Sequence, residues 1–348
     1  MSTLGAGAIT LTDLAKTWDP NGQPARVVEL LAQTNPILTD ALWIEGNLPT
    51  GHRTTVRTGL ASATWRLFNQ GTAVSKGTTA QIDEQCGMLE SWSEVDIALA
   101  KLNGNSAAYR LQEGQAHLEA MNQEMAGTLF YGNAGTAPEE FNGFATRYSS
   151  LGQNCISGGS VSGGDGMSIW LVGWGPNSVH CVYPKGSTGG VQHKDHGEQV
   201  IETVAGIGGS RLAVYQDQWT WNCGLVVKDW RYAVRGCNID SSALVAQSSA
   251  SNLIKLMIKM YHRLPTLHGG MTMDNTFVGV KPVYYMNRTT AQMLDIQRFD
   301  VMSGSGTGFQ NLGGSIQYGE VDGKWTPTFR GIPIRICDQL LETEAAVA

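Results

Sequence analysis

Apolar residues recur at Leu111, Leu118, Met121, Met125 and Leu129, with Ala107, Ala108 and Gly114 on the same stripe. Spacings of three, four and seven predict one long amphipathic helix over Ser106–Gly132, the strongest helical pattern in the chain. Arg110, Glu113, His117, Glu119, Asn122 and Glu124 are assigned to its polar face. Ser106 can cap the first turn, and Gly132 followed by Asn133 suits the left-handed residue that ends a helix. At about 1.5 Å of rise per residue the element reaches roughly 35 to 40 Å, the width of a small domain, which predicts a spine. Glycine inside a helix is less favourable than alanine by about 1 kcal/mol. Gly114 on the apolar stripe therefore predicts close approach by another element, expected from the strands between residues 219 and 240.

From Leu48 to Leu102 the pattern alternates, through Thr54, Val56, Trp65 and Leu67 and again through Met88, Leu89, Val95, Ile97 and Leu99. Two long strands are expected, joined by FNQGTAVSKGTTAQIDEQ. Its Gly and Thr content, with few large apolar side chains, fits a bendable tip over Gln70–Gln81. A hairpin of that length lacks stability of its own and needs partners. Arg53, Arg57 and Arg66 make its first half basic, while Asp83, Glu84, Glu90 and Glu94 make the return half acidic. Such a division suits pairing across a boundary between subunits, with Trp65 and Lys76 completing the expected contact set.

Residues 1–45 hold two short amphipathic pieces about the turn Asp19-Pro20-Asn21-Gly22, with too few apolar residues for a core, so this segment needs another surface. Beyond the helix, strands are expected in SIWLVGW, SVHCVYP and RLAVYQDQWTWNCGLVVKDWRYAVRGCNI, with loops in CISGGSVSGGDG and KGSTGGVQHKDHGEQ. A second helix lies in SSASNLIKLMIKMYHRLP and stops at Pro265. A strand in PVYYMN, a helix opened by Asn287, a Gly/Ser-rich loop over Ser303–Ser315 and a last strand in IPIRIC complete the pattern.

A chain of 348 residues has room for about two domains and a sizeable core. Its formal net charge of -6, with the acidic residues scattered, argues against a protein whose main work is gripping nucleic acid phosphates. The 43 glycines cluster between alternating runs, which fits a turn-rich β protein with some helix. No apolar run is long enough for a membrane span, and MSTLGAGAIT lacks the basic and apolar regions of a secretory signal. The six cysteines have no metal-like spacing and are expected to be free thiols.

The chemistry-bearing candidates are thin. His193, Asp195, His196 and Glu198 are the only tight cluster of metal-ligand types, and their Gly-rich flanks favour a solvated loop. The runs at Gly158-Gly159, Gly163-Gly164 and Gly206 to Gly209 match no phosphate-binding motif, and no GxSxG or HExxH occurs. No catalytic residue, metal or cofactor is assigned. Trp219, Trp221, Trp230 and Tyr232 could stack on bases, but packing in a sheet is their commoner fate.

An arm, a long hairpin, one long helix, Trp-rich strands and a second αβ lobe together resemble the major capsid proteins of tailed bacteriophages, which have the HK97-like fold. HLEAMNQEMAGTLFYGN followed by EEFNGFATRY is similar to the spine helix and its exit turn in short-tailed phages. WNCGLVVKDWRYAVRGCNID resembles their peripheral strand, and VYYMNRTTAQML with FRGIPIRICDQLL resembles axial-domain elements. The resemblance implies an α+β fold with an N-terminal arm at 1–45 and an extended loop at 46–100. The spine helix and its connection would occupy 101–150, a peripheral sheet 151–245, and an axial domain with the tail 246–348. In the family the long peripheral strands usually follow the axial domain, so a permuted order is implied here. The implied role is non-enzymatic: self-assembly, through hexamers and pentamers, into an icosahedral head around double-stranded DNA. Implied partners are further copies of the chain, a separate scaffolding protein, a portal and a decoration protein, with packaged DNA held weakly and no membrane. The implied location is the virion, after assembly in the host cytoplasm. Lys76, flanked by Ser75 and Gly77, has no nearby acid to activate it, so a shell without covalent crosslinks is expected.

Two other classes fit fewer features. A soluble enzyme or carbohydrate-binding β protein would use a pocket under the Trp-rich strands, leaving hairpin and arm without partners. A phage tail or decoration protein would assemble into tubes or rings.

Overall fold

The computed structural model describes residues 32–102, 106–159, 161, 164–202, 211–247, 251–265, 279–302, 316–321 and 324–348. Most of the arm expected at 1–45, and the loop at Ser303–Ser315, lie outside these residues. In chain order the elements are α1 (Ile37–Asp40), β1 (Trp43–Glu45), β2 (Gly51–Gly59), β3 (Thr78–Gln85), β4 (Gly87–Asp96), α2 (Ile97–Lys101), α3 (Ser106–Tyr131) and α4 (Phe144–Arg147). There follow β5 (Cys155–Ser157), β6 (Gly166–Trp174), β7 (Val179–Tyr183), β8 (Gln192–Glu202), β9 (Arg211–Val227) and β10 (Ala233–Asp240). The rest are α5 (Ser241–Val245), α6 (Leu253–Tyr261), β11 (Lys281–Met286), α7 (Arg288–Met302), β12 (Ile316–Val321), β13 (Lys324–Phe329) and β14 (Ile332–Ile336).

A 12-stranded sheet runs β12-β13-β14-β11-β6-β7-β9-β4, with β1 on β7, β10 on β6, β5 on β10 and β8 on β9. Strand β6 reads GMSIWLVGW and is buried along its whole length, as a strand covered on both faces should be. Its alternate residues feed two cores. Trp170, Val172 and Trp174 meet Met125, Leu129, Phe130 and Phe144 under α3. Met167, Ile169 and Leu171 meet Leu256, Met257, Met260, Tyr284 and Phe329 on the side of α6. Helix starts are fixed by side-chain caps: Asp96 accepts from Ala98 N, Asp240 from Ala243 N, Asn252 from Lys255 N and Asn287 from Thr290 N.

The long helix spans Ser106–Tyr131, yet its buried stripe is turned from the expected one. Leu111 is 68% exposed and Leu118 42%, while Tyr109, Gly114, Met121, Met125, Ala126, Leu129 and Phe130 are buried. The cause is the polarity of the sheet beneath. Register places Ser91, Trp219 and His193 in one row across β4, β9 and β8, with Ser93, Asp217 and Asp195 in the next but one. Arg110 and His117 therefore face the sheet, and the apolar leucines point away.

Two other expectations shift. The return strand of the hairpin is β3, inside the stretch read as a polar tip, and β2–β3 form a separate two-stranded sheet. From Met88 to Asp96 that run pairs with β9 instead, and Ile97 and Leu99 lie in α2, so the projecting hairpin ends at Gln85 rather than near residue 100. The stretch GSTGGVQHKDHGEQ, read as a loop, contributes residues to β8, which runs along β9 from Gln192↔Thr220 to Glu202↔Arg211. Its bulge lies between Asp195 and Gly197, where Gly197 takes a φ of 71°.

Candidate functional site

The hairpin leaves the body at a fixed root. Glu84 is buried and accepts from both terminal nitrogens of Arg147, at 2.6 and 2.7 Å. Arg147 also donates to the carbonyls of Asn142 and Leu225. A bidentate guanidinium–carboxylate pair with its remaining donors satisfied holds both orientation and position. Gly51 lies opposite the next residue, Gln85, where a Cβ would stand 1.9 Å from the Glu84 carbonyl oxygen, so only glycine lets the strands meet there. One turn outward, Arg53 pairs with Asp83 at 2.6 Å across the hairpin.

Past the root the side chains lose their partners. Between β2 and β3, Trp65 is 104% exposed, Phe68 96% and Val74 101%, as open as in an extended chain, and Leu60 and Leu67 are also exposed. Trp65 and Leu67, expected in the first strand, lie in the connection because β2 ends at Gly59, so the apolar residues cluster just before the stretch expected as the tip, Gln70–Gln81, whose last residues enter β3. Arg66 donates to the Gln70 carbonyl at 3.2 Å and Ser75 to that of Ser62 at 3.0 Å, which keeps the loop closed on itself. Among the described residues, no carboxylate lies within ion-pair distance of Arg57, Arg66 or Lys76.

The residues expected to meet across subunits therefore divide. Arg53 and Asp83 pair within the hairpin, and Glu84 turns into the body. Glu90 lies on β4, where it accepts from the Gln218 side chain on the sheet face away from α3. Trp65, Arg66 and Lys76 remain together on the open tip, and Arg57 lines a cleft. That cleft, of about 1100 Å³, lies between β2 and the body, with Val56, Ile82, Tyr148, Cys155, Lys228 and Trp230 among its walls.

Beneath α3 a second polar cluster fixes the helix to the sheet. Arg110 donates to Asp217 at 3.0 and 2.7 Å, reaches Asp195 at 2.7 Å, and stands 4.9 Å from the centre of the Tyr215 ring. Asp217, backed by His193 at 2.9 Å, raises the pKa of the guanidinium. The hydrogen bond from Arg110 holds the Asp195 carboxyl below its ordinary range. Trp219 is stacked between His117 and His193, each ring centre 5.2 Å away, and Ser91 shares a hydrogen bond of 2.7 Å with His117. A Cβ at Gly114 would lie 3.0 Å from Trp219 Cζ2. Trp219 is buried by this packing and Trp221 is buried against Trp43, ring centres 5.6 Å apart, whereas Trp230 is 52% exposed on the wall of the cleft. Among the described residues no group of three or more His, Cys, Asp or Glu is arranged to hold a metal ion.

The carboxyl-terminal tail closes the body, a role its sequence gave no sign of. Buried Glu344 accepts from Arg235 at 2.9 Å, from the Tyr131 hydroxyl at 2.5 Å and from Ser168. Val347 and Asn238 exchange two hydrogen bonds of 2.8 Å. The far end of the chain thus joins α3, β6 and β10.

Among the described residues the geometry gives a large sheet packed on α3 and a projecting two-stranded hairpin whose connection exposes apolar side chains. Residues 19–348 match the family model for major capsid protein GP7. The structure of bacteriophage epsilon15 from cryo-EM is 31% identical, the match covering 100% of this chain and 99% of that one at a TM-score of 0.76. The capsid of bacteriophage JBD30 is 10% identical, with 90% and 93% covered and a TM-score of 0.45. The SrpI encapsulin of Synechococcus elongatus is 10% identical, with 67% and 97% covered and a TM-score of 0.43. No curated protein matches the chain.

Proposed function

The chain belongs to the major capsid protein GP7 family, and from that premise we propose how its parts divide the work of building a shell. It is a structural, non-enzymatic protein of a bacteriophage capsid, with the HK97-like α+β fold, and the shell forms by self-assembly. No described helix is long and apolar enough to cross a membrane. In our reading the plate formed by α3 and the long sheet is the tile, and the β2–β3 hairpin is the arm that reaches a neighbouring copy. The observation that carries this is the tip, where Trp65, Leu67, Phe68 and Val74 stand exposed in the same connection as Arg66 and Lys76, which have no carboxylate partner among the described residues. An apolar patch of this kind on a free subunit is unfavourable in water and becomes favourable when a second copy covers it. Each such contact is modest, and repetition around a closed shell makes the whole strong.

The finer reading follows the same division. Residues 1–45 serve as a second reaching arm, 46–100 include the hairpin and its root, 101–150 the spine, 151–245 the peripheral sheet and 246–348 the axial part. Hexamers and pentamers close an icosahedral head around double-stranded DNA, assembled in the host cytoplasm with a separate scaffolding protein and a portal, and open to a decoration protein outside. The shell is held without covalent crosslinks, since Lys76 has no carboxylate beside it among the described residues.

The test is expression of the full chain, alone and with Leu60–Gly77 replaced by a short Asn-Gly turn. Shells or partial shells in electron micrographs of the first, and folded subunits with unchanged melting but no such assemblies from the second, are expected. Shells of normal yield without the tip would overturn the arm assignment.

A further inference from the structure

We propose that Cys155 and Cys237 form a reversible disulfide, with Cys155 as the thiol that a small disulfide reaches through the cleft between hairpin and body. The pair sits on adjacent parallel strands, where Cys155 on β5 is opposite Arg235 and Cys237 lies two residues further along β10. Their sulfurs are 3.5 Å apart. A disulfide bond needs about 2.05 Å, so the sulfurs must close by roughly 1.5 Å, within reach of side-chain rotation and small backbone adjustment. Both residues are buried, but Cys155 is one of the walls of the cleft and Cys237 is not. Access therefore sets the order in which the two sulfurs react.

The surroundings single out the same residue. Burial pushes the Cys86 thiol up to about 11 and the Cys337 thiol up to about 12, where neither is nucleophilic at neutral pH. The hydrogen bond from Cys237 moves Cys155 the other way, below the ordinary thiol range, and the nearby Arg235 guanidinium works in the same direction against the effect of burial. The cleft also carries Arg57 and Lys228, which attract an anionic disulfide such as oxidised glutathione.

The chemistry balances without a metal. The Cys155 thiolate attacks one sulfur of RSSR, making a mixed disulfide and releasing RS⁻. Cys237 loses its proton as its sulfur displaces the second RS⁻. The two protein protons end on the two leaving thiolates, so two cysteine thiols and RSSR become one protein disulfide and two RSH. The new bond ties β5 to the strand that holds the tail through Arg235–Glu344 and Asn238–Val347. A chain made in a reducing compartment would carry the thiols and gain the bond on reaching an oxidising medium. This inference stands on the subunit alone and does not depend on the arm assignment.

The test treats reduced, full-length protein with oxidised glutathione, counts free thiols after denaturation, and maps linked peptides by mass. Two of the six thiols should disappear, with a peptide joining Cys155 to Cys237 that is two hydrogen atoms lighter than its parts. Cys237→Ser should trap glutathione on Cys155, whereas Cys155→Ser should leave Cys237 unmodified. The oxidised wild type should melt several degrees higher, reversibly with dithiothreitol. Six free thiols after treatment, glutathione mainly on Cys86, or a link among Cys86, Cys181 and Cys223 would each overturn the proposal.

Discussion

The plate and the hairpin are held by contacts of different reach. In the plate the charged ties span the chain: Arg110 to Asp217 across 107 residues, Arg235 to Glu344 across 109, and Tyr131 to Glu344 across 213. In the hairpin, outside its root, the tie is Arg53 to Asp83 across 30 residues, exposed on both sides. Long-range buried ties form only when the whole subunit is folded, so they belong to the stability of the tile. A local exposed pair adds little to folding and leaves the arm free to take its final conformation elsewhere. On the proposed division, stability and assembly lie in separate parts of one chain, and substitutions should separate them.

The largest effect is expected at the tail. Glu344→Ala leaves the Arg235 guanidinium buried without its counter-charge, and removing one partner of such a pair costs about 3 to 5 kcal/mol. Chemical denaturation of unassembled subunits measures it. A loss below about 1 kcal/mol would mean the tail is not part of the folding unit.

Next in size is a pH effect at the junction of the two regions. His180, fully buried on β7, stands 5.8 Å from His52 of the hairpin, ring centre to ring centre. Burial first, then the charges of Lys228 and His52, push its pKa down to about 4, against a small opposing pull from the Gly175 backbone. His52 is lowered as well, by burial and Lys228. The unfolded chain takes up these protons near pH 6.5 and the folded chain does so later. The contribution is therefore complete above about pH 6.5 and declines as the pH falls towards 4, by roughly 3 kcal/mol from His180. His180→Leu should flatten this slope between pH 6.5 and 4, and hydrogen exchange should show the β2–β3 root opening first. An unchanged slope in the variant would remove His180 as the source.

Gly114 tests how the helix meets the sheet. Gly114→Leu has no room beside Trp219 and should destabilise by about 1 to 3 kcal/mol. For Gly114→Ala the Cβ at 3.0 Å asks Trp219 to yield by a few tenths of an ångström, and the gain in helix propensity, about 1 kcal/mol, offsets this. Melting of the two variants should therefore differ. Equal stability would show that the stack of His117, Trp219 and His193 is loose.

What the sequence disclosed follows from what its patterns encode. The helix over Ser106–Tyr131 was legible because its period, length and terminal signals agreed. The orientation of its face was not, since a hydrophobic stripe is read on the assumption of an apolar partner. Here the partner offers Asp217, Ser91 and His193, so Arg110 and His117 turn inward and Leu111 and Leu118 outward. Polar composition misled at β3 and at β8 for a related reason: polar residues suit loops when alone, and extended pairing when a strand such as β2 or β9 lies alongside. Glu344 and the Cys155–Cys237 pair were invisible because their partners lie 82 or more residues away. Of the hairpin set, Trp65, Arg66 and Lys76 sit on the open tip, and Glu90 had been placed there only because β4 was mistaken for the return strand.

The smallest effect on folding should accompany the largest on assembly. Trp65→Ser with Phe68→Ser removes two side chains that touch almost nothing in the subunit, so the denaturation midpoint should stay within about 0.5 kcal/mol of the wild type. Relief of exposed apolar surface should also make the free subunit more soluble. In a shell the same side chains would be covered. Burying an aromatic side chain contributes about 1.5 to 3 kcal/mol, and losing it at every repeated contact should raise the protein concentration at which shells form by a factor of ten or more per site. Arg66→Glu, which reverses charge without removing apolar area, should act more weakly and lose its effect at high salt. Light scattering against protein concentration separates these outcomes. If the double variant assembles at the wild-type concentration while melting lower, the tip is a folding element and the division between plate and arm fails.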